Sequence, residues 1–405
     1  MKRVLSTNKQ LKQMRVGAGM ALRDFLPAAS RAKLSVPRAL LPWWGDLNIG
    51  GIVSVAGHGS GQGAPVEVCE IVTSITWVDA SGTVRTSDST TEEWRALCGG
   101  IGLLGIITEV TFQLTDSTNT QISTRIQVSD ANLASDLNDE LISKAITLYW
   151  RPDFGVYTAH LQTDAPSGKD KSLNITKGAR GVIVPQLDPD ANARKTQGAG
   201  LKAVSTIPFF ELPYDNGESL VCQSAIGITT TPWAQVSTFP PKTKGKRAVD
   251  IFDGRVVTND VQTFVCSNNK VELCSFSNPE LDATNSDTEM AVEKARIPEL
   301  IADVKKLIAV DLRGYGNVPD GSKRCLPPGY FNFRFTNPSK TLIGPGAGLA
   351  QPVHAELTVI YSRSIPGRPF RYEWVQEIFE QLLLCKYNGR PRSVLHSYAA
   401  PSVGL

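Results

Sequence analysis

The pattern of apolar and polar positions divides the chain into two stretches of different character. Up to about residue 116, β-branched runs alternate with glycine punctuation. Residues 14–16 read as a strand closed by Gly17-Ala18-Gly19. Residues 21–32 carry Leu22, Phe25 and Leu26 at helical spacing, with Pro27 as an interior obstacle. Residues 68–78 form a strand-like run, and Asp79-Ala80-Ser81-Gly82 turns it into a short partner at 83–86. A further strand is predicted at 106–114. Beyond residue 116, strands at 145–150, 155–161 and 261–276 alternate with polar segments, of which 164–180 and 277–288 read as exposed connections. Two helices follow. The first, 297–310, aligns Ile297, Leu300, Ile301, Val304, Leu307 and Ile308, with Pro298 in its tolerant first turn. The second, 372–387, aligns Val375, Ile378, Phe379, Leu382 and Leu383, and Gly389 is placed to stop it. Both should pack against a sheet. The expectation is an α+β chain of two units, 1–116 and 117–405.

Composition changes this picture little. The chain has 405 residues, 41% hydrophobic and 20% charged, enough for two cores. A net charge of +3 gives no reason to expect nucleic acid as a partner. The basic run from Lys242 to Arg247 reads as a solvated loop, and the sequon at Asn174 is the kind of triplet that arises often by chance. Seven cysteines show no metal-binding spacing and no paired ladder. They are expected to be buried free thiols, and no metal is expected. No secretory signal and no apolar run of about 20 residues is present. The chain as written is therefore expected to be soluble, with no visible address.

Candidate chemistry begins with glycine. The segment from Gly50 to Gly61 holds five glycines with Ser54, His58 and Ser60 among them. Uncovered main chain there could approach a phosphate, a ribityl chain or a flat ring; a tight turn that binds nothing is the alternative. A second element, Gly99 to Gly105, runs into the strand at 106–114 and suits a wall against an aromatic face, or a bend needed only for packing.

In their order, the stretches Arg15 to Phe25, Gly50 to Ser60 and Gly102 to Val110 resemble the second half of the flavin domain of the vanillyl-alcohol-oxidase (PCMH-type) superfamily. The Gly57-His58-Gly59-Ser60 form resembles the L-gulonolactone and D-arabinono-1,4-lactone oxidases. The stretches 297–311, 328–335, Tyr361 to Ser364 and Lys386 to Pro391 resemble the substrate domain of that family. The resemblance implies FAD, an α+β substrate domain with a mainly antiparallel sheet, and oxidation of an aldono-1,4-lactone at a CH–OH group. Oxygen would be the acceptor and ascorbate-type synthesis the setting. It also implies roles for residues. Ser54, Gly57, His58, Gly59 and Ser60 would run past the flavin, with Gly102, Gly105 and Ile107 as the opposite wall. Glu356 falls where the family has a glutamate in the substrate site; a solvent-facing residue on an alternating strand is the equal alternative. His58 reads as a packing and hydrogen-bonding residue of its loop rather than a base. Family members are often membrane-associated or secretory, so membrane association is a further implication.

Three departures accompany the resemblance. The chain is expected to begin inside the flavin domain, without the glycine-rich loop that wraps the pyrophosphate and without a residue for covalent flavin attachment. Thr358 stands where some relatives carry an arginine, so a cation must come from elsewhere, for example Arg363, or be absent. After Pro391 the family continues His-Trp-Gly-Lys, whereas this chain reads Arg392-Ser393-Val394. These departures leave a second reading open: a catalytically impaired homologue that binds a lactone or a protein partner.

Overall fold

A computed structural model of the chain describes residues 1–41, 45, 47–153, 155–165, 199, 202, 254–259, 283–309, 326, 329–362, 364 and 370–391. The fold is α+β, as expected. Its strands, in chain order, are β1 (Val4–Asn8), β2 (Gln13–Gly17), β3 (Leu34–Ser35), β4 (Val72–Asp79), β5 (Val84–Asp88), β6 (Gly105–Gln113), β7 (Thr115–Asp116), β8 (Asn119–Ser129), β9 (Ala145–Arg151), β10 (Val156–Ala165), β11 (Gly254–Val257), β12 (Ala283–Glu293), β13 (Gly329–Phe335), β14 (Pro352–Ser362) and β15 (Arg390–Pro391). The main helices are α1 (Leu22–Arg31), α2 (Ile49–Ser54), α3 (Glu92–Leu97), α4 (Asp139–Lys144), α5 (Ile297–Ala309) and α6 (Phe370–Gln381).

The first part of the chain forms a five-stranded antiparallel sheet in the order β1-β2-β6-β4-β5. α1 buries Leu22, Phe25, Leu26, Ala28 and Ala29 despite Pro27 within it. Phe25 meets Phe112 of β6 at 5.0 Å between ring centres. The strand expected to start at residue 68 begins at Val72, because Val68–Ile71 closes a 3-10 turn in which Glu70 accepts the amides of Val66 and Glu67.

An eight-stranded antiparallel sheet follows, in the order β11-β8-β10-β9-β13-β14-β12-β15. Side chains alternate across its strands. Leu148, Trp150, Phe331, Phe333, Phe335, Val353, Ala355 and Leu357 form one core with Leu300, Ile301 and Val304 of α5 and Val375 and Phe379 of α6. Each of the Leu, Ile, Val and Phe side chains among them contributes about 1.5–3 kcal/mol by leaving water. The intervening residues point the other way, and they are polar. β12 corrects the expectation of an exposed connection at 277–288: it pairs along its whole length with β14, and Ser286, Thr288 and Glu289 are buried. The strand expected at 261–276, the basic run, the sequon and Arg363 lie outside the described residues. Of the cysteines described, Cys69 and Cys98 are buried as expected, whereas Cys385 is exposed.

Glu67 carries a pH signature. Burial pushes its carboxyl up to about 7 from 4.5, against the hydrogen bond that Ser339 donates to it. The stability linked to its proton is full below about 4.5 and is lost as pH rises through about 7. Glu67→Gln should therefore raise the thermal midpoint relative to the parent at pH 8 and leave it nearly unchanged at pH 5, as read by calorimetry at the two pH values.

Candidate functional site

The polar face of the large sheet is a built site. Register places Glu289 of β12 opposite Glu356 of β14, Glu356 opposite Asn332 of β13, and Asn332 opposite Tyr149 of β9. One row along, Arg334 lies opposite His354. The alternation that buries Phe331, Phe333 and Phe335 thus turns Asn332 and Arg334 to the other side. Glu356 is buried, which rules out the solvent-facing alternative.

Arg334 binds both carboxylates through one nitrogen, with Nη2 at 2.5 Å from Glu289 Oε2 and 2.7 Å from Glu356 Oε2. Asn332 Nδ2 donates to the same Glu356 oxygen at 2.8 Å, and Thr147 Oγ1 donates to Asn332 Oδ1 at 2.6 Å. Burial opposes the guanidinium charge, but Glu289 and Glu356 more than offset it and hold Arg334 above the usual arginine range. Arg334 Nε is buried with no protein acceptor among the described residues, and both contacts to Glu356 use Oε2. A donor and a carboxylate oxygen are therefore left for a ligand. Tyr149 and Tyr330 flank the pair, 4.4 Å apart and edge to face. Burial pushes the Tyr149 phenol up to about 12 and Tyr330 well above its ordinary value, so both stay neutral. Burial alone depresses His160 to about 3.

The glycine segment closes over one end of this face. Its first half is α2 rather than uncovered loop, started by Asn48, whose side chain accepts from Gly51 N at 2.7 Å. Gly57 N donates to Ile52 O, Gly59 N to Val66 O and Ser60 N to Ala39 O. Those amides are spent on the protein, a correction to the expectation of bare N–H groups. Gly59 is required by close packing: an added Cβ would sit 1.6 Å from Ala39 O. Gly59→Ala should lower stability by about 3 kcal/mol in urea unfolding, the upper end of overpacking costs. Beyond it, Ser60 Oγ donates to Ala145 O at 2.6 Å and accepts from Phe335 N at 2.9 Å, and Gly61 N reaches Phe335 O. His58 is thereby carried onto the polar face, 3.2 Å from Glu289 Oε1 and ring against ring with His354 at 4.1 Å.

The second glycine element meets the first at the end of α2: Gly99 N donates to Val53 O and Ile101 N to Ser54 O. A Cβ on Gly99 would lie 3.1 Å from Ala56 Cβ, so the two elements touch and enclose nothing flat there. The open surface is the turn itself. Ile101, Leu103, Leu104 and Ile106 are exposed, and a Cβ on Gly102 would meet nothing. Gly105 is a packing glycine against Val78 O, and Ile107 points into the core, so Ile106 rather than Ile107 faces outward. Arg334, Asn332, Glu289 and His354 carry no motif that singles them out along the sequence. Their signal was the alternation of Tyr330, Asn332 and Arg334 with phenylalanines and of His354 and Glu356 with Ala355 and Leu357.

Comparison with known proteins supplies the remaining context. No protein-family model matches the chain. Probable L-gulonolactone oxidase 4 of Arabidopsis thaliana is 23% identical over 416 residues, covering 96% of this chain and 65% of that protein. L-gulonolactone oxidase 5 of the same plant is 22% identical over 399 residues, covering 93% and 61%. The chain thus spans less than two thirds of the length of these curated relatives. Among solved structures, cholesterol oxidase from Brevibacterium sterolicum superposes with a TM-score of 0.61 at 16% identity, over 96% of this chain and 71% of that one. At that identity the likeness is one of fold. The chain is a homologue of the plant proteins named L-gulonolactone oxidase.

Proposed function

We propose that the chain acts as a flavin-dependent oxidase on the CH–OH group of an aldono-1,4-lactone. The observation that carries this reading is the Glu356–Arg334 pair: a buried carboxylate with one oxygen uncommitted, beside a buried guanidinium nitrogen lacking an acceptor among the described residues. Glu356 Oε1 accepts the proton of the reacting hydroxyl, and Arg334 steadies the oxygen from which it departs. Glu289 and Asn332 hold these two groups in place. Tyr149 and Tyr330 give the sugar ring an apolar flank with neutral hydroxyls.

FAD, when bound, supplies the hydride acceptor, with oxygen as the terminal oxidant. The exposed apolar turn of Ile101, Gly102, Leu103, Leu104 and Ile106 would offer a face to a flat aromatic group. The Gly57, Gly59 and Ser60 amides do not fit a pyrophosphate, because protein carbonyls already hold them. That engagement favours a second reading, a lactone-binding homologue without flavin. Incubation with FAD, desalting and a visible spectrum, followed by lactone calorimetry, separates the two. Retained flavin supports the oxidase. Flavin-free protein that binds lactone supports the binding module, and protein that binds neither removes both readings.

A further inference from the structure

We propose that His58, Glu289 and His354 form a site for a divalent transition-metal ion of the zinc class. Glu289 Oε1 lies 3.2 Å from His58 Nε2 and 2.9 Å from His354 Nδ1, and one donor atom from each residue lies within 4.8 Å of the others. Metal–ligand bonds of about 2.0–2.2 Å place the donors around one ion roughly 3–3.5 Å apart. The two separations from Glu289 Oε1 are those of ligands around a common centre.

The second set of contacts strengthens the case. His58 Nδ1 lies 2.8 Å from Gly59 O, and a carbonyl only accepts, so Nδ1 carries the proton. In the neutral ring Nε2 then turns its lone pair toward Glu289. His354 Nε2 lies 2.9 Å from Thr336 Oγ1, which can accept its proton and leave Nδ1 as the second lone pair. Fixing each off-side nitrogen to an oxygen is how proteins orient metal-binding imidazoles. With these tautomers two lone pairs face one carboxylate oxygen, an arrangement that a cation among them relieves. A single proton serves one of the two contacts, whereas a metal ion serves both.

Arg334 occupies the other oxygen of Glu289, and Glu356 offsets its charge. Imidazole ligands favour zinc-class ions over calcium or magnesium. Such an ion would bolt the segment carrying His58 to β12 and β14.

The test uses the full chain, stripped with chelator, in a Cys385→Ser background that removes the exposed thiol among the described residues. Zn2+ alone is titrated by calorimetry and Co2+ by visible spectroscopy. One tight equivalent of Zn2+ and a ligand-field spectrum with Co2+ are expected. His58→Gln and His354→Gln should abolish both signals with unchanged circular dichroism. Thr336→Val keeps all three donors, and should weaken Zn2+ binding about 10-fold if the His354 ring is being oriented for a metal. Absence of stoichiometric uptake, or uptake that the three variants leave unchanged, would overturn the site and leave a proton as the shared charge. Flavin and lactone are not read, so failure here leaves the oxidase proposal standing.

Discussion

Arg334→Met is expected to lower the unfolding free energy by about 3–5 kcal/mol, because it leaves two buried carboxylates without their cation. Glu289 and Glu356 face each other across β12 and β14, and the one guanidinium nitrogen that bridges them relieves their repulsion. Urea denaturation followed by fluorescence reads the loss. Arg334→Lys should fall between parent and Met, since an ammonium restores charge but not a guanidinium whose Nη2 bridges both carboxylates while Nε is left for a ligand. Equal stability of parent and Arg334→Met would mean that the carboxylates are not held as a pair by this residue.

Glu356→Gln carries the second large effect, this time on turnover. The amide matches the carboxylate in shape but cannot take a proton from a hydroxyl. Lactone oxidation should fall about 100-fold or more in kcat, within the range for loss of a general base. KM should move little, because the group acts chiefly as the hydroxyl proton leaves. Steady-state kinetics on flavin-loaded protein checks this; a KM effect alone would assign Glu356 to binding instead.

The sequence revealed much of the first sheet because its strands are short apolar runs between turn residues. β2, β4 with its partner β5, and β6 all lie within a few residues of their expected places. The glycine segment was harder. Gly50 and Gly51 mask a helix that Asn48 starts and that Ile49, Ile52 and Val53 bury. Glycine's low helix propensity is overridden here by packing.

β12 is hidden in the sequence for the opposite reason. Asn285, Ser286, Asp287, Thr288 and Glu289 look like loop, yet they form an interior strand because Arg334 and the histidines satisfy Glu289. Glu356 was found only through family resemblance. Arg334 supplies the charge that Thr358 cannot, and it sits on the adjacent strand, a relation of register that no spacing along the chain expresses.

The proposed activity meets its most direct test in an anaerobic mixture of the FAD-loaded chain with L-gulono-1,4-lactone, followed by visible absorbance. Bleaching of the oxidised flavin by lactone, much slowed in Glu356→Gln and restored on admitting air, is the predicted result. A flavin that stays bound and oxidised through an excess of every aldono-1,4-lactone tried would contradict the account.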